Sequence, residues 1–225
     1  EIHFDRGKSA CTKNNDPKQG SCVNGSSARY FELWNLVFIQ YNREEDQRLS
    51  KLKTKSVDTG AGLERLCTVL QNKQSNYETD LFYPLIQEVE KLSGYAYRAD
   101  RFGMPHRVLA DHTRALCFAI ADGVMPSNEG RGYVLRRLVR RALNYASQIK
   151  LNKPVMVKLC ECVCEHFKAS YPKLSEKKDY IKAIILKEEE QFLNTLASGL
   201  ERFKNVKNKS QSSISGEDAF KLYDT

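Results

Sequence analysis

Residues 57–66 read VDTGAGLERL, a strand-like stretch that passes through two glycines into an amphipathic helix. The glycines allow a ligand to lie against bare backbone, and the first helical turn offers unpaired N–H groups to a phosphate or an adenine edge. Asp58 stands at the strand end, where a carboxylate can bind an ammonium group. Arg65 lies on a different side of the helix from Leu63 and Leu66, so it can reach back toward the same ligand. A Gly-x-Gly turn alone fits an ordinary helix N-terminus equally well, with Asp58 as its cap.

The segment before this turn predicts two antiparallel strands. Residues 31–41 are aromatic, β-branched and apolar, which indicates a strand buried on both faces. Residues 53–58 predict a shorter second strand, and the polar link between the two favours antiparallel pairing. Alternation along the first strand places Leu33, Asn35 and Val37 on one face.

The rest of the sequence is almost wholly helical in pattern, which predicts an α+β fold: part of an antiparallel sheet with its following helix, then an all-α region. We place the domain boundary between 1–92 and 93–225. Residues 6–28 are rich in Gly, Asn, Ser and Lys and predict a long surface loop. After the helix that begins near Leu63, apolar spacing predicts helices at 80–92, 106–122, 129–148, 154–170 and 177–206.

The charge balance favours a polyanionic partner. The formal net charge is +8, which points first to nucleic acid and second to an acidic membrane surface, although a solvated basic surface is the plain alternative. The positive charge is concentrated in 128–150, where the only acid is Glu129. On a helix this stretch presents a cationic face suited to phosphates, made by Arg131, Arg136, Arg137, Arg140, Arg141 and Lys150.

The cysteines and the hydropathy of the sequence argue against a disulfide-rich, a metal-binding or a membrane-spanning protein. Seven cysteines without regular spacing favour reduced thiols in a cytosol over a disulfide framework. The cluster of Cys160, Cys162 and Cys164 lacks a paired Cys-x-x-Cys, and His112 has no partner at ligand spacing, so we expect no zinc and no other metal site in this segment. The sequence contains no run of about 18 apolar residues, so it predicts no membrane-spanning helix.

Residues 57–66 resemble motif 3 of the class II aminoacyl-tRNA synthetases, in the form found in the alanyl-tRNA synthetase family. Other segments are similar to that family and follow the same order along the chain. They are ELWNLVFIQ (32–40), NYETDLF (76–82), ADHTR (110–114), PSNEGRGYVLRR (126–137) and AFKLYDT (219–225).

The resemblance implies a cytoplasmic alanine–tRNA ligase that uses ATP and its associated Mg²⁺ to form alanyl-adenylate and then transfers alanine to tRNA(Ala). Such a site needs no nucleophile and no other catalytic side chain, because positioning and charge stabilisation carry the reaction. By the same resemblance, alanine is bound by Asn35, Val37, Asp58 and Gly60. ATP is contacted by Leu33, Trp34, Asn35, Gly62 and Arg65.

The resemblance also implies binding of the tRNA acceptor stem, with Asn128 and Asp224 as readers of a G·U wobble pair. The alternatives are a helix cap for Asn128 and a surface acid for Asp224. The expected contacts are Asn128, Arg131, Arg136, Arg137, Arg140, Arg141 and Asp224.

Motifs 1 and 2 of the class are not found in this sequence, so we expect the chain alone to lack a full adenylate site and to work with the remainder of a synthetase chain. The alternative is a non-catalytic RNA-binding module derived from a class II synthetase. The combination of Asp58, Asn35, Gly62 and Arg65 favours the enzyme, because a pure RNA binder has no need of an ammonium-binding carboxylate beside a nucleotide turn.

Overall fold

The N-terminal sheet contains three antiparallel strands, β1 (Ile2–Asp5), β2 (Tyr30–Arg43) and β3 (Leu49–Ala61), in the order β1-β2-β3. The computed structural model describes residues 1–10, 29–209 and 213–223, and most of the predicted 6–28 loop lies outside these ranges. The strand predicted at 31–41 is confirmed. The second strand is longer than predicted, because its ladder with β2 continues through the first motif glycine to Ala61.

The prediction that β2 is buried on both faces is wrong. Every residue of β2 is half-buried or exposed, and the Phe38 side chain is 72% exposed. As the middle strand, β2 has ladder partners on both sides, so its backbone hydrogen bonds stabilise it as a strand although its side chains are not buried. Among the described elements of this part of the chain, the helix that packs against β2 is α1 (Leu63–Leu70), and it covers little of the sheet.

The helices follow the predicted order with bounds shifted by a few residues. Two short ones, α6 and α8, were not predicted. After α1, the described helices are α2 (Tyr83–Ser93), α3 (Met104–Ala121), α4 (Gly130–Gln148), α5 (Met156–Phe167), α6 (Pro172–Glu176), α7 (Lys178–Lys209) and α8 (Gly216–Tyr223).

Backbone contacts divide the chain into two units, Glu1–Leu81 and Phe82–Thr225. In the second unit α3 is central and packs against α2, α4, α5, α6 and α7. The apolar side of α2, with Leu85 and Ile86, is buried against α3 and α5, so this helix belongs to the helical unit. The predicted boundary after residue 92 assigns α2 to the first domain, and that functional division stays a prediction.

Three cysteines of the helical unit are buried. Cys117 of α3 and Cys160 and Cys164 of α5 lie in the core as free thiols, and burial raises the pKa of Cys117. Within the described ranges, no group of His, Cys, Asp and Glu side chains is arranged to hold a metal ion. In the same ranges no helix is both long and apolar enough to cross a bilayer.

A buried carboxylate caps α5. Glu189 of α7 is fully buried, and its Oε1 accepts hydrogen bonds from the N–H groups of Val155 (3.0 Å) and Met156 (2.9 Å), while Oε2 accepts from Val157 (3.3 Å). These donors belong to the first turn of α5, whose N–H groups have no intrahelical acceptor. Burial raises the pKa of Glu189, and the three N–H bonds oppose that rise. Glu189 therefore ties α7 to the start of α5.

We expect Glu189→Ala to lower the free energy of unfolding by at least about 2 kcal/mol, because each buried donor left without an acceptor costs ~1–3 kcal/mol. Urea denaturation of the 225-residue chain, followed by circular dichroism, measures this change. Glu190→Ala is the matched control, since Glu190 is exposed and its loss should change stability by less than about 0.5 kcal/mol. Equal losses in the two variants would contradict the capping role.

Candidate functional site

The register between β2 and β3 brings the four predicted alanine-binding residues together. Val37 lies directly opposite Asp58, and Asn35 lies directly opposite Gly60. Residues opposite each other in an antiparallel ladder point to the same face of the sheet, as do residues two apart on one strand. The four therefore form a two-by-two patch on one face, hereafter the ladder patch.

The space around the ladder patch is open. A Cβ atom added to Gly60 would meet no atom within 4 Å. Asp58 is exposed, and no ion pair joins its carboxylate to another residue of the described chain. A small cation could reach this carboxylate beside the bare backbone of Gly60.

Trp34 lies on the opposite face, as alternation predicted. It pairs with Ala61 across the ladder, and its side chain is 42% exposed. The nearest link to the motif turn is made instead by Leu33, whose carbonyl accepts a hydrogen bond of 3.1 Å from the N–H of Gly62. A contact between Trp34 and a ligand on the ladder patch must therefore use its backbone.

Arg65 is anchored by Glu32, a residue that the sequence analysis did not select. Its Nη1 donates to Glu32 Oε2 and to the Glu32 carbonyl, both at 2.9 Å. The Arg65 guanidinium lowers the pKa of Glu32, and the Asn35 side chain adds a smaller lowering effect. Glu32 thus lies between the motif arginine and the ladder patch. Spacing along the sequence could not reveal this contact, because the return of α1 toward β2 creates it.

Gly62 makes room for the arginine. A Cβ added at this position would lie 3.2 Å from Arg65 Cδ, which is closer than most real contacts of this kind. Arg65 is 44% exposed and lies 5.7 Å from the centre of the Phe31 ring, and its Nε and Nη2 have no hydrogen-bond partner within the described residues. A guanidinium with one nitrogen anchored and the other two open is suited to a phosphate group.

The helix predicted to carry the basic face is present as α4, and part of that face is exposed. Leu135, Val139 and Ala142 are buried on the inner side of the helix. Four of the five predicted arginines are exposed, and three of them lie near aromatic rings: Arg137 at 6.0 Å from Tyr133, Arg141 at 6.0 Å from Tyr145 and Arg140 at 5.8 Å from Phe192, with Arg131 exposed at the start of the helix.

Arg136 differs from the other four. Its side chain is 16% exposed, and it forms a two-bond ion pair with Glu188 of α7, from Nε to Oε2 and from Nη2 to Oε1, both at 2.9 Å. The remaining Nη1 donates to the Oδ1 of Asn128. Each guanidinium nitrogen of Arg136 thus has a protein acceptor.

Asn128 lies in the segment that leads into α4. The residue at the N-cap is Glu129, and no side chain makes a capping bond, so the capping alternative for Asn128 does not hold. This segment crosses α4 closely at Gly132, where an added Cβ would lie 2.2 Å from the carbonyl oxygen of Met125. Asp224, the second predicted base reader, lies outside the described residues.

An antiparallel ladder carries an exposed carboxylate and leads through Gly62 into a helix with an anchored arginine. The family described as tRNA synthetases class II (A) matches residues 1–225, and the chain belongs to this family.

Curated relatives point to one member of the class. The chain is 46% identical to the alanine–tRNA ligase of Staphylococcus saprophyticus over 229 residues, 47% to that of Staphylococcus epidermidis over 230 and 44% to that of Staphylococcus aureus over 229. Each alignment covers 100% of this chain and 26% of the relative. The chain therefore spans about a quarter of the length of the relatives that it matches.

We expect Arg65→Met to raise the pKa of Glu32 toward its usual value near 4.5, because the variant loses the main group that favours the carboxylate. Asn35→Ala should raise it less. In the unchanged chain the ion pair should persist as the pH falls, until Glu32 is protonated below that usual value. NMR titration of the Glu32 side-chain carboxyl carbon measures this pKa in the unchanged chain and in both variants. An unchanged Glu32 titration in Arg65→Met would show that the contact does not form in solution.

Proposed function

We propose that this chain is the motif 3 and acceptor-stem-binding part of an alanine–tRNA ligase. The reaction is the ATP-dependent activation of alanine to alanyl-adenylate, followed by transfer to tRNA(Ala). The observation that carries the proposal is the ladder patch: a free carboxylate, an amide, one small apolar side chain and an uncovered glycine, with an anchored arginine further along β2.

The ladder patch suits a small amino acid. The Asp58 carboxylate binds the α-ammonium group, and Asn35 orients the substrate beside it. Val37, opposite Asp58, offers an apolar contact to a methyl group, while Gly60 lets the substrate lie against backbone. Discrimination against glycine by such a pocket is limited, because one missing methyl group is worth only about 1–3 kcal/mol.

The nucleotide extends from the ladder patch toward Arg65. Five residues of strand separate Glu32 from Val37, which corresponds to roughly 17 Å. A ligand that contacts both Asp58 and Arg65 must therefore be long, as an amino acid joined to a nucleotide triphosphate is. The turn at Leu33 and Gly62 lies between these ends, and the open edge of Arg65 binds the phosphates.

The reaction needs orientation more than side-chain chemistry. The alanine carboxylate attacks the α-phosphorus and pyrophosphate leaves, so negative charge moves toward the leaving group and Arg65 stabilises it. The Mg²⁺ of this proposal accompanies the triphosphate, as this ion commonly does in nucleotide-binding sites. With motifs 1 and 2 not found here, the remainder of a synthetase chain completes the site.

The α4 face binds the acceptor stem of tRNA(Ala). Arg131, Arg137, Arg140 and Arg141 are exposed along one helix and suit phosphate contacts, while Asn128 lies where that helix begins. The chain as a non-catalytic RNA-binding module remains the second candidate, supported by this basic face alone. Free buried thiols support a reducing compartment, and we propose the cytoplasm.

Gly60→Ala separates the two candidates. The added methyl group meets no protein atom, so folding and the Glu32 pKa should stay unchanged, yet the methyl group occupies the space that alanine needs. In a polypeptide that joins this chain to the upstream catalytic half, we expect alanine-dependent ATP–pyrophosphate exchange to fall at least about tenfold. RNA binding should be unaffected. Full exchange activity in this variant, or no exchange in the unchanged polypeptide, would contradict the enzyme proposal.

Arg137→Gln and Arg141→Gln should each weaken RNA binding in a salt-dependent manner. Each variant loses one phosphate contact, so the negative slope of log K against log salt should become shallower by about one unit. Binding of an acceptor-stem hairpin RNA to the 225-residue chain at several salt concentrations measures this slope. Lys187→Gln on α7 is a control that removes one exposed charge outside α4, and a slope change of the same size there would argue against a specific α4 interface.

A further inference from the structure

Three of the five N–H groups of Arg136 are bonded within the protein. Glu188 occupies the edge formed by Nε and Nη2, and Asn128 bonds Nη1, so Arg136 is less open to a phosphate than the exposed arginines of α4. The pair with Glu188 is also largely withdrawn from water, with 11% of the Glu188 side chain exposed. Glu188 raises the pKa of Arg136, which secures the charge of the guanidinium.

The contact with Arg136 determines how Asn128 is oriented. A guanidinium has donors and no acceptor, so it can bond only the carbonyl oxygen of the amide. The Asn128 NH₂ group then points away from Arg136, and it has no partner within the described residues. Asn128 is exposed, so its free group is a hydrogen-bond donor and its acceptor is already used.

The same contacts connect Asn128 to α7. Glu188 lies on α7, next to the Glu189 that caps α5, so the position of the carboxylate is set by helices packed in the core. Arg136 extends this rigid reference to the surface through one further bond. The segment that carries Asn128 crosses closely over Gly132, and this contact limits movement of its backbone.

We propose that Arg136 and Glu188 are positioning residues for recognition of the acceptor stem, and that they present Asn128 as a donor to a base-edge acceptor in the RNA minor groove. This inference rests on the RNA-binding part of the proposed function. In the minor groove a G·U and a G·C pair both display the acceptors purine N3 and pyrimidine O2, but wobble pairing moves the pyrimidine O2, so a donor held in one position distinguishes the two pairs. Loss of the ion pair between Arg136 and Glu188 lets the Asn128 amide rotate. The RNA then still binds, but the protein no longer distinguishes one base pair from another.

The test uses the 225-residue chain and two hairpin RNAs that differ only in a G·U or G·C pair of the acceptor stem. We expect Glu188→Gln and Arg136→Gln to reduce the ratio of the two affinities by about tenfold, with the salt slope unchanged. Arg137→Gln, a phosphate contact in the proposal, should lower the slope and leave the ratio unchanged. A shallower salt slope in Arg136→Gln, with an unchanged ratio of the affinities for the two hairpins, would overturn the positioning role.

A paired exchange guards against simple unfolding. Arg136→Glu combined with Glu188→Arg keeps the ion pair and the net charge, but position 136 then offers an acceptor to Asn128. The amide must turn its NH₂ group inward, so we expect a folded chain with an unchanged salt slope and a lost ratio. Retention of the ratio in this folded double variant would refute the proposal.

An RNA-free measurement distinguishes failure of this inference from failure of the proposed function. The side-chain NH₂ resonances of Asn128 should show slow rotation and high order in the unchanged chain and lose that order in Glu188→Gln. If the unchanged chain binds neither hairpin, the proposed RNA function fails, and with it the recognition role. If the chain binds but the Asn128 resonances are the same in Glu188→Gln, the positioning role fails alone.

Discussion

The ladder between β2 and β3 determines which side chains of the first unit can act together. Side chains alternate between the two faces of a strand, so a shift of one residue would place Asp58 opposite a residue of the other face and separate it from Asn35. The strand is only partly covered, so burial contributes little to this choice. Backbone hydrogen bonds on both sides of β2 hold the strand in the sheet, and the short turn that joins Arg43 to Leu49 limits the registers it can take.

In the helical unit two neighbouring glutamates of α7 act in different directions. Glu189 points into the core and caps α5, whereas Glu188 reaches α4 and pairs with Arg136. A buried carboxylate is costly unless donors surround it, and each of these has at least two. The exposed arginines of α4 therefore stand on a helix whose position is set by charged contacts as well as by apolar packing.

Much of this fold could be predicted from local pattern. The strand at 31–41, the helix after Gly62 and the basic helix all appear where composition and periodicity placed them. Burial of β2 was predicted wrongly, because an apolar run reports what a segment can bury and not what covers it. The role of Glu32 was missed for a related reason: it is a polar residue on a strand, and its partner Arg65 comes from the helix that folds back.

The sequence by itself determined the family, the alternation that groups Asn35 with Val37, and the charge of α4, because each follows from residue type and near-neighbour spacing. The turn predicted at both glycines was wrong for Gly60, which continues the ladder opposite Asn35. Only the tertiary structure decided which of those charges remain open. Arg136 and Arg137 are adjacent and identical in chemistry, yet one is paired with Glu188 and the other is exposed. A hundred-degree turn of the helix separates them, and the packing of α7 against one side gives the two arginines different surroundings.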